Sequence, residues 1–452
     1  MKPGKRRGRQ GGSGPRSAIN LGITEVIIDS VGAKGDGIGL HEGKAVYVPF
    51  SLPGERLRVR LLESRRDGLT AEMVSILAPS ANRQKPACPY FANPAGACGG
   101  CTTQHISSTE TGEFKQQLVR EALTRRGFDD GVVADTVSVG PGHRRRVDFS
   151  VTGGHGAPRI GFHERDSNRI IPIEKCPALV PELAELATRL GPMLAGIAAA
   201  GRGGAVKALY SETGLDIVLC FAGEPDLRER ERLVAFSAAE SIARLSWQAG
   251  NGEEPLPIVV QREPLVMFSG TAIVPPPGAF LQASIAGEQA IISAITDNLS
   301  GRLPKGARMA DLFSGCGPIS FALAAMGHVH AVEGNAAMVS AITLAAGRGD
   351  LGGRISAERR DLFRRPLAGR ELAELDALVF DPPRAGALEQ ARAIADAGNP
   401  RIVVAVSCNP ATFARDARIL ADGGYKLETV IPIDQFPWSA HVELVALLVK
   451  SA

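Results

Sequence analysis

Three segments in the last third of the chain combine residue types suited to covalent and nucleotide chemistry. Ser407-Cys408-Asn409-Pro410 follows an apolar run, RIVVAV, that reads as a strand. A lone cysteine is most often a buried structural residue. One at a strand end beside a proline turn instead faces a ligand crevice, where its thiolate can act as a nucleophile. Asp381-Pro382-Pro383-Arg384 closes another strand, DALVF. Its two prolines fix the backbone and remove two amide donors, aiming Asp381 at the same rim. Upstream, a strand ends in Asp311-Leu312-Phe313-Ser314-Gly315-Cys316-Gly317 and a helix begins at Pro318. Gly315 and Gly317 let the backbone turn tightly under a ligand. Glu333 ends the next strand, roughly 20 residues on, where a carboxylate can accept both ribose hydroxyls of a nucleoside. These features alone leave a nicotinamide oxidoreductase open, because the turn lacks only the third glycine of the dinucleotide fingerprint.

A second chemical cluster lies earlier. Cys88, Cys98 and Cys101 sit in CPYFANPAGACGGC, and Cys176 follows much later in IEKCPAL. Seven cysteines in 452 residues are too few for a disulfide scaffold, and their uneven clustering points to metal or catalysis. Zinc ribbons pair two close cysteines with two more close ones. Three plus one distant cysteine fits a cubane iron-sulfur cluster better, with zinc as the alternative. Cys220 and Cys316 read as ordinary buried or loop cysteines.

The elements that must position these groups follow from the pattern. From about Met309 strands alternate with helices (RMADLF, PISFALAAM, HVHAVEG, AAMVSAITLAAG, DALVFDPP, LEQARAIADA, RIVVAVSCNP, TFARDARILADGG, VELVALLVK), which implies an α/β fold with a parallel sheet wrapped on both faces. Short strands broken by glycines over residues 20–78 read as a small β-barrel. Residues 79–270 mix helix and strand signals without a further catalytic motif and read as a central α+β domain, leaving 271–452 as the catalytic domain. A length of 452 residues demands several cores. No run of about 18 apolar residues is present to span a bilayer, and no signal peptide follows the basic start, so a cytoplasmic protein is expected. Net charge is only +3, yet residues 1–19 carry Lys2, Lys5, Arg6, Arg7, Arg9 and Arg16 without an acidic residue. Such an arm suits either phosphate contact or mere solvation. Arg144, Arg145 and Arg146 read as a second phosphate-facing patch.

Together, DLFSGCG, VEGN, DPPRAG, SCNPATFARD and HVELVALL, with PPGAFLQAS upstream, resemble the RNA uracil-5 methyltransferases over nearly the whole chain. The GDGIG turn and VPFSLPGERLRVRL resemble a TRAM domain, an OB-like barrel of RNA-modifying enzymes. Barrel and cysteines together make the chain most similar to the iron-sulfur 23S rRNA uracil-5 methyltransferases. The resemblance implies a C-terminal Rossmann-like class I methyltransferase domain, S-adenosylmethionine as methyl donor, a 4Fe-4S cluster on Cys88, Cys98, Cys101 and Cys176, and RNA as partner, either 23S rRNA or tRNA, with a monomer favoured.

It also assigns roles. Attack of Cys408 on carbon 6 of uracil would make carbon 5 nucleophilic, and a base must then remove the carbon-5 proton. By resemblance that base is Glu443, with Asp434 as second candidate. Gln282, Phe313, Gly315, Gly317, Pro318, Glu333, Asp361 and Asp381 fall to the cofactor, with Asp361 beside adenine. Phe280 and Asp381 fall to the flipped target base. Two positions depart from the family: Ser284, where Asn is common, and Pro318, where a polar residue is common. The competing readings are a non-catalytic iron-sulfur RNA-binding protein, which would not need Cys408 and Glu443 together, and an oxidoreductase, in which DPPR and SCNP have no role.

Overall fold

The computed structural model describes residues 21–65, 68–153, 158–250 and 252–451. The basic arm lies outside them. Two compact units divide at Arg83.

In the first, β1 (Gly22–Val31), β2 (Gly37–His41), β3 (Lys44–Val48), β4 (Arg56–Arg65) and β5 (Gly68–Ala78) close into a barrel in the order β1-β2-β3-β5-β4. Alternation places Leu57, Val59 and Leu61 of β4 inside with Val26, Ile28, Val46 and Val48. The GDGIG glycines are steric requirements. A side chain at Gly37 would strike Ser51, and one at Gly39 would strike the Ile27 carbonyl.

The second unit contains two main sheets. Helix α1 (Ser108–Thr124) and the short β6 (Val137–Ser138) come first. Strands β7 (Arg146–Val151), β8 (Ile160–His163), β9 (Ile170–Pro172), β10 (Gly204–Ser211), β11 (Gly214–Phe221), β12 (Arg244–Gln248) and β13 (Leu256–Val260) form one sheet, in the order β13-β12-β11-β10-β7-β8-β9. Helices α2 (Pro181–Ala184), α3 (Leu186–Leu194) and α4 (Leu227–Ala239) belong to this layer, and Leu183, Leu186, Leu190 and Leu233 enter its core. A small hairpin, β14 (Val266–Phe268) and β15 (Thr271–Ile273), and helix α5 (Ile285–Leu299) lead into the last sheet.

That sheet alternates β16 (Ala307–Leu312), α6 (Pro318–Leu323), β17 (Gly327–Glu333), α7 (Ala336–Arg348), β18 (Ile355–Arg359), α8 (Arg370–Ala373), β19 (Ala377–Phe380), α9 (Leu388–Ala397), β20 (Ile402–Ser407), α10 (Pro410–Asp422), β21 (Tyr425–Asp434) and β22 (Glu443–Lys450), in the order β18-β17-β16-β19-β20-β22-β21-β6. Its central strands are buried on both faces, which is why they read as continuous apolar runs. Val404 and Val406 enter one core while Val403 and Ala405 enter the other.

The all-parallel expectation fails at one edge. β22 is antiparallel to both β20 and β21, because the connection between β21 and β22 is too short for a crossover. Helix α1, although it precedes the central sheet, packs on this last one, with Val119 and Leu123 fully buried in its core and β6 parallel to β21. Among the described residues no helix is long and apolar enough to cross a membrane.

Candidate active site

The carboxyl ends of β16, β17, β19 and β20 and the start of β22 carry Phe313, Gly315, Gly317, Glu333, Asp381, Cys408 and Glu443. After β16 the backbone turns through left-handed Phe313, Gly315 and Gly317 (φ 60°, 55° and 85°). A side chain at Gly315 would meet open space, whereas one at Gly317 would crowd Ile342 and Phe321. Pro318 takes the first helical position of α6, where no amide donor is needed, so its departure from the family pattern leaves the helix start intact. Glu333 spans the loop, accepting from the Gly315 amide (3.0 Å) and the Asn335 amide (2.8 Å).

Asp311 is fully buried and accepts from Ser320 Oγ at 2.5 Å. Burial, reinforced by Asp381 and Glu333, pushes its carboxyl up to about 7. Its Oδ1 and Ser314 Oγ are buried polar atoms without partners. Unsatisfied groups beside an open glycine turn suit a ligand bearing its own donors, such as the amino acid and ribose parts of S-adenosylmethionine. Phe313 lies 5.4 Å from Phe363, ring to ring. Phe363 is 47% exposed, and its amide donates to Asp361 Oδ1 at 3.1 Å, so the two phenyl rings and Asp361 are neighbours. Phe363 escaped the sequence reading. Its signal was an apolar residue in the charged run RRDLFRR.

DPPRAG and SCNPATFARD interlock, which explains their composition. Asn409 caps α10 through the Ala411 amide, and its Nδ2 donates to the Arg384 carbonyl at 3.1 Å. Thr412 Oγ1 reaches the same carbonyl at 3.3 Å, and Asp416 accepts from the Ala387 amide at 2.7 Å. The loop bearing Asp381 is thereby tied to the turn bearing Cys408.

Buried Gln282 donates from Nε2 to Asp381 Oδ2 (3.1 Å), and its Oε1 accepts from Gln435 Nε2 (2.9 Å). Burial raises the Asp381 carboxyl, opposed by this Gln282 bond. Glu443 is 5% exposed. Burial and the nearby Asp381 raise its carboxyl, while Gln435 and Arg384 oppose the rise. The half-buried Cys408 thiol is pushed up to about 11 by burial and by Glu443 and Asp381, with Arg384 acting against them. Cys408, Glu443, Asp381 and Arg384 thus lie within electrostatic reach of one another. Asp434 does not join them. It is ion-paired with buried Lys115 of α1, whose Nζ also donates to the Phe436 carbonyl at 2.8 Å. That pairing ties Asp434 to helix α1.

The arginine triplet is not one patch. Arg145 is 2% exposed, paired with Glu288 at 2.6 Å and donating from Nε to the Gln282 carbonyl at 3.2 Å. It braces the backbone at Gln282 and, buried, has no access to phosphate. Arg146 stacks its guanidinium 4.2 Å over the Phe280 ring. Phe280 remains 59% exposed. Ser284 caps α5 by accepting from the Gly287 amide at 3.0 Å, serving the capping role an Asn can also fill.

Cys88, Cys98, Cys101 and Cys176 line one cavity of about 260 Å³, together with Arg144 and Lys175. Burial, together with repulsion from the other cysteines, pushes Cys98 up to about 11 and Cys101 up to about 12. Among the described residues no group of three or more His, Cys, Asp or Glu is arranged to hold a metal ion. The segment also anchors the loop before β22, since the Thr102 and Thr103 amides both donate to the Trp438 carbonyl (2.8 and 3.2 Å). Cys316 is buried, and half-buried Cys220 contacts Gln248.

Residues 23–74 match the TRAM domain, and residues 309–451 match the tRNA (uracil-5-)-methyltransferase family. An RNA methyltransferase of Mesorhizobium japonicum is 40% identical over 94% of this chain and 97% of its own. A 23S rRNA (uracil(1939)-C(5))-methyltransferase of Halomonas elongata is 32% identical over 98% of this chain and 93% of its own. Among solved structures, a Pyrococcus abyssi tRNA (uracil-54, C5)-methyltransferase in complex with S-adenosyl-L-homocysteine superimposes with a TM-score of 0.71. It covers 94% of this chain and 99% of its own at 21% identity, a likeness of fold.

Proposed function

Because this chain belongs to the RNA uracil-5 methyltransferase family, and is an S-adenosylmethionine-dependent RNA methyltransferase, we propose that it methylates carbon 5 of a uridine in 23S rRNA through a covalent Cys408 adduct. The observation that carries the mechanism is the gathering of Cys408, Glu443 and Asp381 beside the open glycine turn. The relatives named as 23S rRNA enzymes support the choice of RNA.

Cys408 enters as thiolate and bonds to carbon 6, driving the ring electrons toward carbon 5 and the carbon-4 oxygen. The bound cofactor supplies an electrophilic methyl on a sulfonium. Glu443 then takes the carbon-5 proton, that C–H pair restores the 5,6 double bond, and the pair of the carbon 6–sulfur bond returns to Cys408. The thiolate is regenerated, so the cycle releases one proton overall. Arg384 favours the anionic forms of Cys408 and Glu443. Gln282 steadies Asp381, and Phe280 offers its exposed ring to the displaced base.

For the cysteine cavity the reading is a 4Fe-4S cluster held by Cys88, Cys98, Cys101 and Cys176. Its support is the four cysteines lining one cavity, a number and ligand type that suit such a cluster. The cluster would supply rigidity under the loop before β22, and no reaction step uses it.

The test is mass spectrometry of nucleosides after wild type and Cys408→Ala meet S-adenosylmethionine with unmodified 23S rRNA or tRNA. New 5-methyluridine in rRNA with wild type alone is expected. Product only in tRNA would reassign the substrate, and product with Cys408→Ala would remove the nucleophile.

A further inference from the structure

The central sheet has a second face that the mechanism above leaves unused. Val147, Phe149, Val206, Ile217 and Leu219 turn one face into a hydrophobic core. The alternate residues, Arg146 and Asp148 of β7, Lys207 of β10 and Asp216 and Val218 of β11, therefore fall on the other. There they line a cavity of about 210 Å³, together with Gly278 and Phe280 from the segment before α5. Cys408, Glu443, Asp381 and Gln282 do not line it, so it is separate from the methylation site. Phe280 nevertheless stands two residues before Gln282, whose Nε2 donates to Asp381, so one short segment joins the two. That segment is fixed to the sheet. Arg244 Nη2 donates to the Pro275 carbonyl at 2.7 Å, and its guanidinium pairs with Asp216 through bonds of 2.9 and 2.6 Å, both side chains nearly inaccessible. A Cβ at Gly278 would lie 3.7 Å from Val218 Cγ2 and 4.0 Å from Lys207 Cδ. Lys207 and Asp148 stand directly opposite each other in the β7–β10 register, yet among the described residues no ion pair joins them. Arg146 lays its guanidinium 4.2 Å from the centre of the Phe280 ring, and its Nε is buried without a partner. A buried donor left open is costly and is retained most readily where a ligand brings the acceptor.

The lining selects the ligand. A phosphate entering here meets the Asp148 carboxylate as well as the two cations, which disfavours it. The cavity is smaller than the roughly 300 Å³ at which drug-sized sites begin, so it suits a single ring system. A flat ring that slides along an exposed phenyl face and presents donors beside acceptors on its edge is a nucleobase. We propose that this cavity is a second base-binding site: one base of the substrate RNA, other than the target uridine, enters beside Phe280 and is held on its edge by the Asp148 carboxylate and the Lys207 ammonium. Asp148 accepts from the donors of that edge, and Lys207 and Arg146 donate to its acceptors. The proposal rests on the uridine methylation proposed above, whose RNA supplies the base. It makes Asp148 and Lys207 specificity-determining residues that never touch the reacting carbon.

The experiment uses the full chain, S-adenosylmethionine and whichever of an unmodified 23S rRNA fragment or a tRNA the wild type methylates. Each nucleotide near the target is replaced in turn by an abasic one. Initial rates give KM and kcat for wild type, Lys207→Met and Asp148→Asn, and binding of S-adenosylhomocysteine checks that each variant is folded. With wild type, one non-target abasic position is expected to raise KM for RNA about tenfold at unchanged kcat, the loss of one stacked base. At that position alone the penalty should shrink to under about threefold in both variants, because the contact is already lost. Abasic penalties that stay undiminished in both variants at every position overturn the site and leave the methylation reading standing. A uniform rise of KM in Lys207→Met, with a shallower salt dependence of binding and no position singled out, makes the cavity a phosphate contact and overturns it as well. No 5-methyluridine in either RNA from wild type refutes the proposed function and takes this proposal with it.

Discussion

The Arg145–Glu288 pair offers a quantitative test of how the segment carrying Gln282 is held. Both side chains are nearly inaccessible, at 3% and 5%, and the pair is 2.6 Å long, so neither charge is screened by water. Arg145→Met strands Glu288 in this site, a change that costs about 3–5 kcal/mol for a buried pair broken on one side. The bond to the Gln282 carbonyl adds about 1 kcal/mol. The double variant Arg145→Met/Glu288→Met removes the stranded charge and should recover to within about 2 kcal/mol of wild type. Urea unfolding followed by tryptophan fluorescence suits the question, because the two tryptophans, Trp247 and Trp438, both lie in the second unit. The single variant has a pH signature as well. With Arg145 gone, the folded-state Glu288 carboxyl titrates above its unfolded value of 4.5, so the penalty is small near pH 4.5 and grows as pH rises. A single-variant loss under about 1 kcal/mol at pH 8, or a double variant as unstable as the single, would refute the bracing role.

Three further outcomes are expected. With burial and Asp381 raising the Glu443 carboxyl to about 8, the basic form is scarce at neutral pH, so adduct breakdown should rise with pH and level off above about 8. Single-turnover rates between pH 6 and 9.5 check this, and a flat profile contradicts it. Phe363→Ala removes half of the aromatic wall beside Phe313 and should weaken S-adenosylhomocysteine binding by about 1 kcal/mol, roughly fivefold, measured by calorimetry. Anaerobically purified protein should contain iron and sulfide in a ratio near one, and Cys101→Ser or Cys176→Ser should lose both, together with the absorbance near 400 nm. Stoichiometric zinc in the wild type would contradict the cluster.

The strands of the last sheet were legible because burial on both faces leaves unbroken apolar runs such as IVVAVS, and the barrel because Leu57, Val59 and Leu61 keep strict alternation. β21 was not read as a strand. YKLETVIPID carries Lys426 and Glu428 on its exposed side and Pro432 within it, and only pairing with β22 reveals it. Cys408, Asp381 and Glu333 announced themselves by standing at strand ends. Arg145 misled for the opposite reason: three consecutive arginines look like a solvated face, and the partner that buries one of them lies 143 residues away. Lys115 and Gln435 left no local signal of their contacts either, because the partner of each, Asp434 and Gln282, lies far away in sequence.

The central claim, that Cys408 bonds covalently to carbon 6 of uracil, is tested most directly with 5-fluorouridine-substituted rRNA. Fluorine at carbon 5 leaves no proton for Glu443 to take, so the adduct cannot break down. Incubated with S-adenosylmethionine, digested and analysed by mass spectrometry, the wild-type protein should carry a methylated fluorouridine on the peptide containing Cys408, and Cys408→Ala should carry none. A label on another cysteine, or abundant 5-methyluridine formed from ordinary RNA by Cys408→Ala, would contradict the account.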